Sequence, residues 1–168
     1  MLIAGKMTAQ LIVDIQVVSE SATIPVDKII ESWAAAVLDQ LGFSDFAEMS
    51  IRIVDEDEIR ALNRVYREID KPTNVLSFPS GIGDDLPDDV PRSLGDVVIC
   101  APVVEREAAV QFKVVGDHWA HLVVHGTLHL LGFDHSSESD AAEMEAAERD
   151  ILASKGVVDP YVHRSEKT

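Results

Sequence analysis

Short runs of β-branched residues, partly alternating with polar ones, mark four strands in this chain, and apolar residues recurring every three or four positions mark helices between them. Residues 10–19 read as the first strand. Residues 23–41 predict a helix with Pro25 near its start, Ile29, Ile30, Trp33, Val37, Leu38 and Leu41 on one face, and Gly42 ending it. In a second strand, 49–54, Ser50 and Arg52 alternate with Ile51 and Ile53. Residues 55–68 predict a helix with Asp55 as N-cap, Glu58 as its capping-box partner, and Ile59, Leu62, Val65, Tyr66 and Ile69 as the buried stripe. A short strand at 73–79 lies between Pro72 and Pro79. Residues 79–93, with Asp84, Asp85, Asp88 and Asp89, form an acidic loop expected to be mobile. Residues 94–100 read as a buried strand with Cys100 in the core, and Pro102 opens a helix reaching about Phe112. Helices at 117–131 and 138–155 complete the chain. Gly156 ends the second, whose many Glu and Asp residues read as a solvated face.

Composition narrows the class. A chain of 168 residues, 46% hydrophobic and 26% charged, fits one globular domain with a single core, residues 1–168. Residues 1–8 are expected to be a flexible N-terminus, and Met7 offers an alternative start. No apolar run approaches the ~20 residues of a membrane span, and the N-terminal apolar segment is too short for a signal peptide. With a single cysteine, these features predict a cytoplasmic protein with no membrane association.

The chemistry concentrates in His125-Gly126-Thr127-Leu128-His129-Leu130-Leu131-Gly132-Phe133-Asp134-His135. Four-residue spacing puts His125 and His129 on one helix face, and Gly132 can take the positive φ that turns the chain back to bring His135 to them. Three imidazoles and one open position make a site for one divalent ion per chain, zinc first and nickel as the alternative. The spacing matches that of zinc peptidases, but Gly126 stands where those enzymes carry the glutamate base, which disfavours a peptidase. His118 and His121 extend the same stripe. His118 lies ~16 Å along the axis from His129, too far to share its ion. Packing or steadying the ligand rings is the reading for both, and His121 and Asp134 stand where they would support a ligand or line a substrate's path.

Net charge is −16, adverse for binding polyanions, so the placement of cations matters more than their number. Arg60, Arg64, Arg67 and Lys71 recur at helical spacing on one face. They form either a local cationic strip or a solvated face balanced by Glu56 and Glu68.

Taken together, Leu62-Asn63, Tyr66-Arg67, the run from Lys71 to Pro79, Leu94 to Ile99, and His118 to His135 resemble the YbeY family, bacterial single-strand-specific endoribonucleases that mature ribosomal RNA. Asn74 stands where many members carry aspartate. The resemblance implies an α+β fold: a small mixed sheet of about four strands packed with helices, with a metal bound by His125, His129 and His135 on a central helix and the loop after it. It also implies a functional Arg67, action on the small-subunit rRNA 3′ end, and a role in ribosome quality control; Arg67 and His125 are the candidate catalytic residues. The expected partners are single-stranded or ribosomal RNA, a small-subunit ribosomal protein and the ribosome-assembly GTPase Era. Arg60, Arg64 and Lys71 would then contact RNA. The general base stays open among metal-bound hydroxide, His121 and the RNA 2′-OH. A non-catalytic assembly factor braced by its metal is the rival reading, and it is disfavoured because structural zinc sites usually have four protein ligands.

Overall fold

A computed structural model describes residues 10–81 and 86–162. The expected flexible segment 1–8 lies outside these residues, as do Asp84 and Asp85 of the acidic loop. The elements run β1 (Leu11–Val17), α1 (Asp27–Gln40), β2 (Ala47–Val54), α2 (Glu56–Arg67), β3 (Val75–Pro79), β4 (Arg92–Cys100), α3 (Ala101–Val110), α4 (Val115–Leu130) and α5 (Glu138–Ser154). The expected α+β class and mixed four-stranded sheet are therefore found, and β4 claims Arg92 and Ser93 from the end of the predicted loop.

The strands are ordered β1-β2-β4-β3. β1, β2 and β4 run parallel, placing Ile51 opposite both Ile15 and Val97, while β3 pairs antiparallel with β4 and forms one edge. Alternation in β2 sends Ala47, Met49, Ile51 and Ile53 to one face. There they meet Ile30, Trp33 and Val37 of α1, Trp119, Val123 and Leu128 of α4, and Met144, Ile151 and Leu152 of α5 in the main core. The opposite face is covered only in part. Val54, Leu76, Val98 and Cys100 pack there with Ile59 of α2 and Val103, flanked by Leu62 and Phe78. Cys100 is fully buried, and that burial pushes its thiol pKa up, as a core cysteine requires.

Three expectations for α2 do not hold. Asp55 makes no side-chain cap, and Glu58 does not reach back to close the box because its carboxylate is drawn to Arg52 of β2, whose guanidinium donates to it at 2.6 and 2.9 Å. The buried stripe stops at Ile59, Leu62 and Asn63. Val65 (65% exposed), Tyr66 (64%) and Ile69 (46%) face solvent, because the last turn of the helix runs past the residues that could cover it. Of the four regularly spaced cations, Arg60 is held by Asp70 at 2.9 Å, and Glu56 pairs with Arg106 rather than within its own helix. In α1, the ends of the predicted stripe, Ile29 and Leu41, are likewise exposed.

Contact between α4 and the sheet is unusually close at Gly126. A Cβ there would stand 2.6 Å from Val97 Cγ1, and Ser77 Oγ on β3 donates to the Gly126 carbonyl at 3.0 Å. Gly126→Ala sets two effects against each other. Helix propensity favours alanine by about 1 kcal/mol, whereas overpacking against a fully buried β-branched valine costs about 1–3 kcal/mol. The clash wins, so the variant should show a lower urea midpoint at unchanged m-value. A midpoint at or above wild type would mean that the sheet yields at Val97.

Candidate metal centre

The local sequence fixes how α4 ends. Gly132 takes φ 98°, its N–H donates to His129 O at 3.1 Å, and the Phe133 N–H donates to Leu128 O at 3.1 Å, a Schellman closure. Phe133 packs against the main core, so the chain turns back instead of continuing the helix axis. This turn brings the His135 ring to 5.7 Å from that of His125 and 5.0 Å from that of His129, centroid to centroid. Ligand nitrogens of His125, His129 and His135 lie within 4.8 Å of one another. Asp134 caps the turn: its Oδ1 accepts the His135 N–H at 2.8 Å, and that bond, with one from Ser136, lowers its carboxyl pKa.

Hydrogen bonding sets the tautomers of the two helical rings. His125 Nδ1 lies 3.1 Å from a Glu148 carboxylate oxygen, and His129 Nδ1 lies 2.9 Å from the Phe133 carbonyl. Both partners only accept, so each Nδ1 carries the proton and each Nε2 presents a lone pair. Those two Nε2 atoms face one another at 3.1 Å. Opposed lone pairs at that distance repel unless a cation lies between them, so the donor set fits a divalent metal. Burial, with His125 beside it, lowers the pKa of His129 and favours the neutral ring that a metal requires.

Glu148 is the residue that the sequence did not reveal. It sits on α5 among residues expected to be solvated, yet it is fully buried. Besides His125 it accepts from His121 Nε2 and from the Tyr161 hydroxyl at 2.8 Å. Burial pushes its pKa up, but the bonds from His121 and His125 outweigh that and hold it down at about 2. Burial and the adjacent carboxylate raise the Tyr161 pKa, which keeps its donating proton in place. His121, His125 and Glu148 form a second group with metal-ligand spacing. In that group the carboxylate is already engaged by three donors and closed from solvent. It is better described as the carboxylate that orients His125.

His121 therefore lies behind His125, joined to it through Glu148, and not on the open side of the site. Its pKa is lowered, chiefly by burial. His118 belongs to a separate pairing with Glu107 at 2.9 Å, and Asn74 Nδ2 donates to the same carboxylate at 3.0 Å. Both histidines thus take supporting places.

Arg67 is the last residue of α2 and exposed, and its side chain makes no hydrogen bond or ion pair among the described residues. α2 and α4 lie on opposite faces of the sheet, and each touches the edge strand β3. The Tyr66 ring rests on Phe78 of β3 with centroids 5.0 Å apart, and the neighbouring Ser77 reaches Gly126 beside His125. Arg64 and Lys71 are exposed at the same end of α2, whereas Arg60 is already paired with Asp70.

Comparison with known proteins identifies the family and the fold. The sequence pattern of the family described as Endoribonuclease YbeY matches residues 14–156. A protein of that name from Halorhodospira halophila is 54% identical over 143 residues, covering 85% of this chain and 92% of the relative. Another from Pseudomonas putida is 53% identical over 148 residues, covering 88% and 91%. A solution structure of a Thermotoga maritima protein shares the fold with a TM-score of 0.53 at 23% identity, covering 91% of this chain and 99% of that one. No helix among the described residues is long and apolar enough to cross a membrane. Three imidazoles on a helix and its closing turn, within a chain half identical to these relatives over most of its length, place this protein in the endoribonuclease YbeY family.

Proposed function

We propose that this protein is a metal-dependent endoribonuclease that cleaves single-stranded RNA, acting on the 3′ end of small-subunit ribosomal RNA and in ribosome quality control. The observation that carries the reading is the pair of Nε2 lone pairs facing each other at 3.1 Å beside a third, exposed imidazole. His125, His129 and His135 would hold a divalent ion, zinc in this proposal, which would supply Lewis acidity toward a phosphoryl oxygen and toward water. Glu148 and the Phe133 carbonyl hold the His125 and His129 rings at the angle that presents Nε2. The exposed edge of the site, at His135, leaves room for a substrate oxygen. Arg67, bound to no other side chain among the described residues, grips the phosphate with its planar fork and offsets charge developing in the transition state.

A peptidase reading meets a structural obstacle. Position 126 is a glycine whose Cβ would stand 2.6 Å from Val97 Cγ1, so the glutamate base is absent and the sheet crowds the place where it would stand. In the favoured reading the protein works in the cytoplasm with a small-subunit ribosomal protein and the GTPase Era. Family resemblance is the support for those partners.

Metal analysis of the purified protein, joined to cleavage of ribosomal RNA by wild type and Arg67 variants, tests the proposal. Arg67→Ala should retain metal and lose about 10²–10³-fold in cleavage rate, as for a lost oxyanion donor. Arg67→Lys should recover little of that loss, because one ammonium cannot reproduce bidentate geometry. Full cleavage by either variant removes Arg67 from the mechanism.

A further inference from the structure

Helix α2 ends in a way that burial does not explain. Val65 and Tyr66 on its last turn and Ile69 just beyond its end stand in solvent, three large apolar side chains within five residues, whereas Ile59 and Leu62 earlier in the helix are packed. Tyr66 is not loosely hung. Its ring meets Phe78 in an edge-to-face arrangement with an interplanar angle of 65°, so it is braced from the sheet side and open on the other. Its surroundings are cationic in a strongly acidic protein: residues 60–71 hold Arg60, Arg64, Arg67 and Lys71 against Glu68 and Asp70, while the whole chain carries −16. Asp70 is taken up by Arg60, leaving Arg64, Arg67 and Lys71 exposed in the same stretch with Glu68 as its one further carboxylate.

An exposed, braced aromatic face on a stretch that also carries unpaired guanidinium and ammonium groups has the chemistry that holds single-stranded nucleic acid: a π-face for a base and cations for phosphates along the strand. A duplex would not be held in this way, since its bases are stacked on one another and unavailable.

We propose that Tyr66 is a stacking platform for one unpaired base of the RNA, with Arg64 and Lys71 on the flanking phosphates, so that the strand is delivered around edge strand β3 to Arg67 and the histidine site. The proposal rests on the RNA-cleaving reading above and adds to it the residue that selects unpaired RNA. Tyr66 accounts for what the cations cannot, because phosphate contacts alone do not distinguish single strands from duplexes.

The test is binding of a labelled single-stranded oligoribonucleotide by the full-length, metal-loaded protein, titrated over a range of salt concentrations. Tyr66→Leu preserves an apolar side chain against Phe78 and removes the ring. It should weaken binding by about 5–150-fold, the range that one lost base–aromatic stack gives, without changing the salt slope. Tyr66→Phe should bind as wild type. Arg64→Gln should lower the salt slope by about one phosphate contact. An abasic oligomer of the same length, carrying phosphates without bases, should bind wild type and Tyr66→Leu equally. Equal affinity of Tyr66→Leu and wild type for the normal oligomer overturns the platform while leaving the RNA reading standing. A deficit that persists on the abasic strand overturns it as well. If wild type binds no single-stranded RNA at any salt concentration, both fall together.

Discussion

Purified His129→Ala protein should carry no stoichiometric metal and cleave RNA only at background, yet unfold cooperatively. One of three ligands is lost, and among the described residues neither Cys100, buried in the other core, nor Glu148, engaged by its three donors, is free to replace it. The cost to the fold is small by comparison. His129 is half-buried at the C-terminal end of α4, and truncation removes one hydrogen bond to the Phe133 carbonyl, worth about 1 kcal/mol, while the Gly132 and Phe133 N–H bonds that close the helix remain. Metal content, cleavage and a urea transition measured on one preparation check this. Global unfolding of the variant would make the metal a brace for the fold and remove the case for catalysis. A full metal load would move the site elsewhere, His121–His125–Glu148 being the group to examine.

The second large effect is expected at Glu148. Glu148→Ala removes the acceptor that orients His125 and strands three buried or half-buried donors, on His121, His125 and Tyr161. Loss of a carboxylate that orients a ligand histidine typically weakens metal binding by about 10–100-fold, and each stranded donor adds a desolvation cost of about 1–3 kcal/mol to the fold. Glu148→Gln, which can still accept one such bond but carries no charge, should fall between. The sign of its pH dependence follows from a depressed pKa. The stability contributed by Glu148 is fully present above its ordinary value of 4.5 and is lost as pH falls through about 2. Wild type should therefore lose an increment of stability across that window that Glu148→Gln does not show. Metal-competition titration and acid unfolding of the two proteins measure both claims. Unchanged metal affinity in Glu148→Ala would mean that the Phe133 carbonyl and helix packing suffice to set the rings.

What the sequence made legible was local. His125, His129, Gly132 and His135 lie within eleven residues, and helix geometry plus one positive-φ glycine determines where they go. Strand alternation likewise exposed β2, whose inward residues follow a period of two. Glu148 was hidden because its partners come from another helix, and nothing in the spacing of Glu138 to Lys155 separates a carboxylate that faces α4 from those facing water. The α2 stripe misled for a related reason. Periodicity tells which residues share a face but not whether the fold supplies anything to cover it, and cover ends after Leu62 and Asn63. The Glu58 half of the expected capping box failed because a guanidinium on the adjacent strand competes better for its carboxylate than a backbone N–H does.

Gly126 works as a ruler. Because the Gly126 backbone of α4 rests directly on the Val97 side chain, the helix can neither roll nor slide without driving its own backbone into the sheet, and the positions of His125 and His129 are thereby tied to the hydrogen-bonded pair β2 and β4. Two of the three ligand positions are fixed before any ion arrives, and only the third, on an exposed turn, has freedom to adapt. Ions that suit a set Nε2 spacing enter without rearranging the protein, whereas larger ions have a single loop residue with which to widen their coordination.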